Sequence, residues 1–203
     1  MYKKPIIVFE GIEGTGKSYH INNVANYLNK VNKKFIKIRE PGGNKNSEKI
    51  RKLILDNKST FNKNTDLLLY MSARSENINL IKRNIGKKII LIDRFIDSTI
   101  AYQHYGMGVD LKFIKMINNF LLKNIKVTFT FLNLVNEKNL KKRLSIRKKL
   151  NRYDKFDSLF YKNVQKGFLK IFKQNPKKYM KINSNLDIII NKKKILDKVN
   201  NLI

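Results

Sequence analysis

The tightest constraint on this chain is a glycine-rich octet caught between two periodic segments. The apolar run Ile6-Ile7-Val8-Phe9 feeds into Gly11-Ile12-Glu13-Gly14-Thr15-Gly16-Lys17-Ser18. Apolar Ile21, Val24, Ala25 and Leu28 then follow at helical spacing. A strand that turns directly into a helix aims the first N–H groups of that helix into the loop, where they form an anion site. The glycines let the backbone wrap closely around phosphate oxygens. In the spacing G-x-x-x-x-G-K-[ST], Lys17 supplies positive charge to the β/γ-phosphates and the Ser18 hydroxyl is a ligand for Mg²⁺. An ordinary glycine-rich turn requires neither the strand before it nor the amphipathic helix after it. Gly11, Ile12, Glu13, Gly14, Thr15, Gly16, Lys17 and Ser18 are therefore predicted to bind a nucleoside triphosphate.

Strand-like and helix-like patterns alternate along the rest of the chain, which predicts an α/β fold with a five-stranded parallel sheet and helices on both faces. Strands are expected at 5–10, 34–39, 88–92, 126–132 and 178–183. Helices are expected near 17–31, 46–57, 64–84, 95–104, 110–123, 136–149, 156–173 and 190–202. Asp110 and Asn136 are candidate N-caps. No repeat, linker or low-complexity tract divides the 203 residues, so residues 1–203 read as one domain.

Composition excludes several functions. There is no cysteine and there are two histidines, so disulfides, thiolate metal sites and histidine-rich metal sites are not expected. The apolar runs are too short to cross a bilayer, and the chain enters a strand almost at once, so a cytoplasmic protein without a signal peptide is expected. The net charge of +29 raises the question of nucleic-acid binding. However, 36 lysines are spread along the whole chain beside 27 asparagines and 27 isoleucines, a bias that A/T-rich codons produce without a binding role. No specific nucleic acid and no membrane is expected as a partner, although some weak polyanion binding is.

Four segments beyond the octet offer chemistry. Arg39-Glu40-Pro41-Gly42-Gly43 closes the second strand with a rigid turn, at the end of the sheet where α/β proteins bind ligands. Tyr70 and Arg74 share a helical face, suited to stacking on a nucleobase and bonding its edge, or else to a core tyrosine beside a surface arginine. The third strand ends in Asp93-Arg94. Arg94 is placed to clamp a second phosphate, and Asp93 to hold Mg²⁺ through water or to pair with a cation. Ser98, Thr99, Tyr102 and Gln103 follow within about one turn of one another, offering polar contacts to base and sugar. Arg143, Arg147 and Arg152 form a basic stretch, either a solvated helix or a mobile lid at about 145–157 that neutralises a transferring phosphoryl group. Six of the eight arginines fall in these segments. In a chain so rich in lysine this favours function, because only the planar guanidinium fork binds phosphate bidentately.

Taken together, Phe9 to Ser18, Arg39 to Gly43, Leu69 to Arg74, Asp93-Arg94 with Ser98-Thr99 and Ala101 to Gln103, and the lid-like Arg147 to Asp154 resemble thymidylate kinase of the bacterial type, in order and over nearly the full length. The resemblance implies the three-layer P-loop NTPase fold with a short lid, and transfer of the ATP γ-phosphoryl group to dTMP with Mg²⁺. It also implies a homodimer. Tyr70 would stack on thymine, Arg74 would bond its edge with help from Thr99, Arg94 would hold the dTMP phosphate, and Tyr102 would crowd the sugar 2′ position. Glu13 would sit near the acceptor sugar or metal-bound water. Arg39, Glu40, Pro41, Ser98 and Gln103 would complete the substrate site, with Ser18 and Asp93 at the metal. Gly14, with Lys17, Arg94, Arg147 and Arg152 as catalytic cations, matches the bacterial arrangement. Tyr70 stands where phenylalanine is usual, Asn151 where aspartate is common, and Met107 where a basic residue is frequent. The alternatives are a P-loop kinase for another (deoxy)nucleoside monophosphate, or a P-loop ATPase that binds polyanions.

Overall fold

A computed structural model describes residues 4–147 and 150–203. Five strands, β1 (Ile6–Glu10), β2 (Phe35–Arg39), β3 (Ile89–Asp93), β4 (Phe129–Leu134) and β5 (Tyr179–Asn183), form one parallel sheet in the order β2-β3-β1-β4-β5. The helices are α1 (Lys17–Lys30), α2 (Lys45–Leu55), α3 (Lys63–Asn84), α4 (Ile96–Thr99), α5 (Leu111–Leu122), α6 (Glu137–Ser145), α7 (Ser158–Gln174) and α8 (Ile188–Asn200). Alternate residues of β1 feed two cores, as a sheet covered on both faces requires. Ile7 and Phe9 pack with α1 and α8, while Ile6 and Val8 pack with α3 and α5. Each such Ile or Phe contributes about 1.5–3 kcal/mol.

The expected order of elements is observed, with informative shifts. β3 runs to Asp93, because that residue pairs in register with Phe9 and Arg39. β4 begins at Phe129 and extends to Leu134, where pairing with β5 holds its end. Asp110 and Asn136 are N-caps, each side chain accepting from the N–H three residues on at 2.8 Å. The helix expected to 149 ends at Ser145, and Lys148 and Lys149 lie outside the described residues.

The helix expected over 95–104 is a single α-turn, α4, that widens into a π-helical segment, Ile100–Gly106. Met107 N donates to Tyr102 O over five residues at 3.0 Å. The widened segment packs closely on α7: a β-carbon on Gly167 would lie 2.5 Å from the Tyr105 ring. Two 3₁₀ turns, Arg152–Lys155 and Pro176–Lys178, carry no periodicity that a sequence reading detects. The carboxyl ends of β1, β2 and β3 lie side by side, at the point where the chain switches from one half of the sheet to the other.

Candidate active site

The loop after β1 is built by steric necessity. At Gly11 φ is 132°, and a β-carbon would lie 2.2 Å from the Asn133 carbonyl oxygen, so only glycine fits. Lys17 Nζ folds over the loop, donating to Gly11 O (2.8 Å), Ile12 O (2.7 Å) and Thr15 Oγ1 (3.2 Å). Burial, with the nearby Arg94 cation, pushes the Lys17 ammonium down to about 7. The loop is braced from outside: Ser184 Oγ donates to Thr15 O, and Arg143 donates to Gly14 O, each at 2.8 Å. Ser18 Oγ lies 3.4 Å from Asp93 Oδ2. Among the described residues no three His, Cys, Asp or Glu side chains cluster as a metal site. A cation here would depend on these two oxygens, nucleotide phosphates and water.

In front of the loop opens a cavity of about 400 Å³. It is lined by Glu13 to Ser18 and by Arg39, Glu40, Pro41, Tyr70, Arg74, Asp93, Arg94, Ser98, Thr99, Tyr102, Gln103 and Arg147. Nearly all the residues singled out from sequence thus converge. Gly11 and Ile12 stand behind the lining and contribute their carbonyls to Lys17.

Arg94 is held in the left-handed region at φ 65°, a strained setting for a non-glycine residue that aims its side chain across the cavity. Its guanidinium donates to Gly11 O (2.8 Å), Glu13 Oε1 (2.8 Å) and Tyr102 OH (3.3 Å), and lies over the Tyr102 ring. The Tyr102 hydroxyl donates in turn to Glu13 Oε2. Burial opposes ionisation of Glu13, but Arg94, Lys17 and Tyr102 outweigh it and hold the carboxyl below its usual range. Burial pushes the Tyr70 phenol up to about 12, so it remains a neutral stacking surface.

Two of the assigned arginines are engaged by other groups of the protein. Arg74 is only 2% exposed, and its donors are taken within the protein. They go to Glu40 Oε2 (2.8 Å), Asn118 Oδ1 (2.6 Å), Phe95 O and Thr99 Oγ1 (2.9 Å each), and weakly to Met71 Sδ (3.8 Å). It lines the cavity as a braced side chain whose weakest contact is the methionine. Arg152 does not line the cavity. It pairs with the buried Asp66, donates to Ile54 O at 3.0 Å, and lies over the Phe61 and Tyr153 rings. Nor do Arg143 and Arg147 share a helix, since α6 ends between them. Arg147 pairs with Asp154 at the cavity edge.

Four residues were missed. Arg51 lines the cavity and donates to Pro41 O at 2.7 Å. Its signal was being one of only two arginines left unassigned. Arg143 and Tyr153, seen in the basic stretch but given no site role, also line the cavity, and Asp66 anchors Arg152 and Tyr153. The Asn151 side chain caps the 152–155 turn, accepting from Tyr153 N at 2.9 Å.

A family model described as thymidylate kinase matches residues 9–195. The thymidylate kinase of Sulfurihydrogenibium sp. is 38% identical over 194 residues, 94% of each chain. That of Mycoplasma capricolum is 37% identical over 187 residues, 90% of this chain and 88% of its own. The crystal structure of thymidylate kinase from Ehrlichia chaffeensis aligns with a TM-score of 0.78 at 30% identity, covering 97% of this chain and 98% of the other.

Proposed function

The chain belongs to the thymidylate kinase family, and from that membership we propose how its cleft transfers the γ-phosphoryl group of ATP to dTMP. One observation carries the reading. Lys17 and Arg94, the cations expected at donor and acceptor phosphates, face one cavity that also contains the Tyr70 ring. The donor phosphates lie in the Gly11–Ser18 loop, and the donor base in a hollow of about 270 Å³ lined by Gly16, Arg143, Leu186 and Ile188. The acceptor base lies against Tyr70, with Arg74, Thr99 and Gln103 at its edge and Tyr102 beside the sugar. Arg39, Arg51, Glu40, Pro41 and Ser98 complete that end.

No general base is required, because the acceptor is a phosphate oxygen whose second pKa is about 6. The residues instead align the two anions and screen their repulsion. Bound phosphates draw Lys17 off the loop carbonyls and restore its charge. Arg94 exchanges its bond to Glu13 for the acceptor phosphate, and Arg147 turns in from the lid. Ser18 and, through water, Asp93 offer the hard oxygens that would hold Mg²⁺, which would supply charge neutralisation to the phosphates. Arg152 supports the lid without touching phosphate.

Residues 1–203 act in this reading as one kinase domain with its lid at about 145–157, of which 148 and 149 lie outside the described residues. No described helix is long and apolar enough to cross a membrane, and an ATP-consuming reaction supports a cytoplasmic setting. A homodimer is supported by Phe113, Met116 and Phe120 along one exposed face of α5, with Phe120 74% exposed in a strongly cationic chain. Light scattering should give twice the mass of the chain, reverting to a monomer in Phe120→Glu. ADP release with ATP and Mg²⁺ should be fastest with dTMP among dTMP, dUMP, dCMP and dAMP. A preference for dAMP overturns the base assignment.

A further inference from the structure

The carboxylate of Asp66 receives bonds from three residues, each far from it in sequence. Arg152 donates to Oδ1, while Tyr153 OH and, at 3.2 Å, Gln103 Nε2 donate to Oδ2. Asp66 is 1% exposed and sits in the first turn of α3, where the helix N-terminus favours negative charge. It lies one and two turns before Tyr70 and Arg74, on the same helical face. Two of its three donors belong to the 152–155 turn, and that turn contains Asp154, the partner of the cavity arginine Arg147. The third donor, Gln103, lines the cavity with its nitrogen committed to Asp66 and Tyr153, while its Oε1 is buried and without a partner. With the nitrogen pinned, Oε1 is the amide atom left without a bond beside the base end.

We propose that Asp66 is a positioning residue: its one carboxylate joins the amide that faces the acceptor base to the turn that places Arg147. This rests on the assignment of that end of the cavity to the dTMP base. A pyrimidine with an imide N–H gives Gln103 Oε1 the donor it lacks. That bond stiffens Gln103 against Asp66 and Tyr153, and through Asp154 holds Arg147 at the phosphates. Neither Asp66 nor Arg152 touches substrate, so their effect falls on turnover more than on affinity for ATP.

The full-length chain tests this through Asp66→Asn, which keeps volume but replaces an acceptor oxygen with a donor. Tyr153→Phe, which drops only the hydroxyl, serves should the first variant not fold. dTMP affinity is read by calorimetry, hydrogen exchange of residues 150–156 with and without dTMP, and steady-state kcat and KM. In the wild type dTMP should slow exchange across 150–156. In the variants dTMP should still bind, the added protection should disappear, and kcat should fall roughly two- to thirtyfold with KM for ATP unchanged. The loss should not multiply with that of Arg147→Ala, because both act on one group. Full dTMP-dependent protection in both variants, or losses that multiply, overturns the coupling while leaving the dTMP assignment standing. A wild type that binds no dTMP overturns that assignment and this proposal together.

Discussion

Arg94 and Arg152 occupy nearly the same local chemistry and do different work. Each guanidinium lies 5.1 Å from the centroid of a tyrosine ring, Tyr102 or Tyr153, and each pairs with a carboxylate. The difference lies in the partner. Glu13 is 14% exposed on the phosphate loop inside the cavity, so its bond to Arg94 can be exchanged for a phosphate. Asp66 is 1% exposed and already accepts from Tyr153 and Gln103, so releasing Arg152 would strand a buried charge. Of these two arginines, the one open to exchange is the one whose carboxylate keeps some exposure.

The sharpest break of this comparison is a pair of alanine variants. Arg94→Ala should lower turnover by ~10³ or more, as removal of a cation from phosphoryl transfer does, with little change in melting temperature. Arg152→Ala should do the reverse. Leaving Asp66 unpaired should cost about 3–5 kcal/mol of stability, and lower the melting temperature by roughly 6 °C or more, while turnover falls no more than about thirtyfold. Initial rates and calorimetric melts decide it, and equal activity losses in the two variants would erase the distinction.

Lys17 sharpens the contrast from the donor side. With its folded pKa pushed down to about 7, the lysine holds fewer protons in the folded than in the unfolded chain between about pH 7 and 10.5. The ligand-free protein therefore gains stability from this group as pH rises through that window. Bound phosphates restore the charge, so ATP binding at pH 8.5 should take up close to one proton. Calorimetry in buffers of different ionisation enthalpy measures it, and no uptake would mean that the lysine is already charged.

The smallest effect concerns Glu10, a buried carboxylate with no ion pair among the described residues. Burial and the nearby Asp97 push it up to about 7, although Ser98 and the Phe95 N–H bond it. The folded chain retains its proton between about pH 4.5 and 7 where the unfolded chain has lost it, so stability from this group declines as pH rises through that window. Denaturant midpoints should show a shallower decline in Glu10→Gln.

Much of this was legible before any fold was seen, and the boundary is physical. Ile6 to Phe9, the octet and the amphipathic spacing of α1 are adjacent in the chain, so propensity and periodicity report them directly. Asp110 and Asn136 were recognisable because a cap bonds three residues away. The π-helical widening at Ile100–Gly106 was not, and the element packed against it, α7 at Gly167, lies far along the chain. The bracing of Arg74 was not legible either, because its acceptors Glu40, Asn118 and Phe95 lie 34, 44 and 21 residues away.

By itself the chain's order of residues determined the phosphate loop, the alternation that builds the sheet, and the set of arginines from which the site is drawn, because each depends on groups within a few residues of one another. Only the tertiary structure decided which arginines face the cavity. Asp66 is 86 residues from Arg152, and Glu13 is 81 from Arg94. A guanidinium's setting follows from which groups meet it in the fold, and spacing along the chain does not encode them.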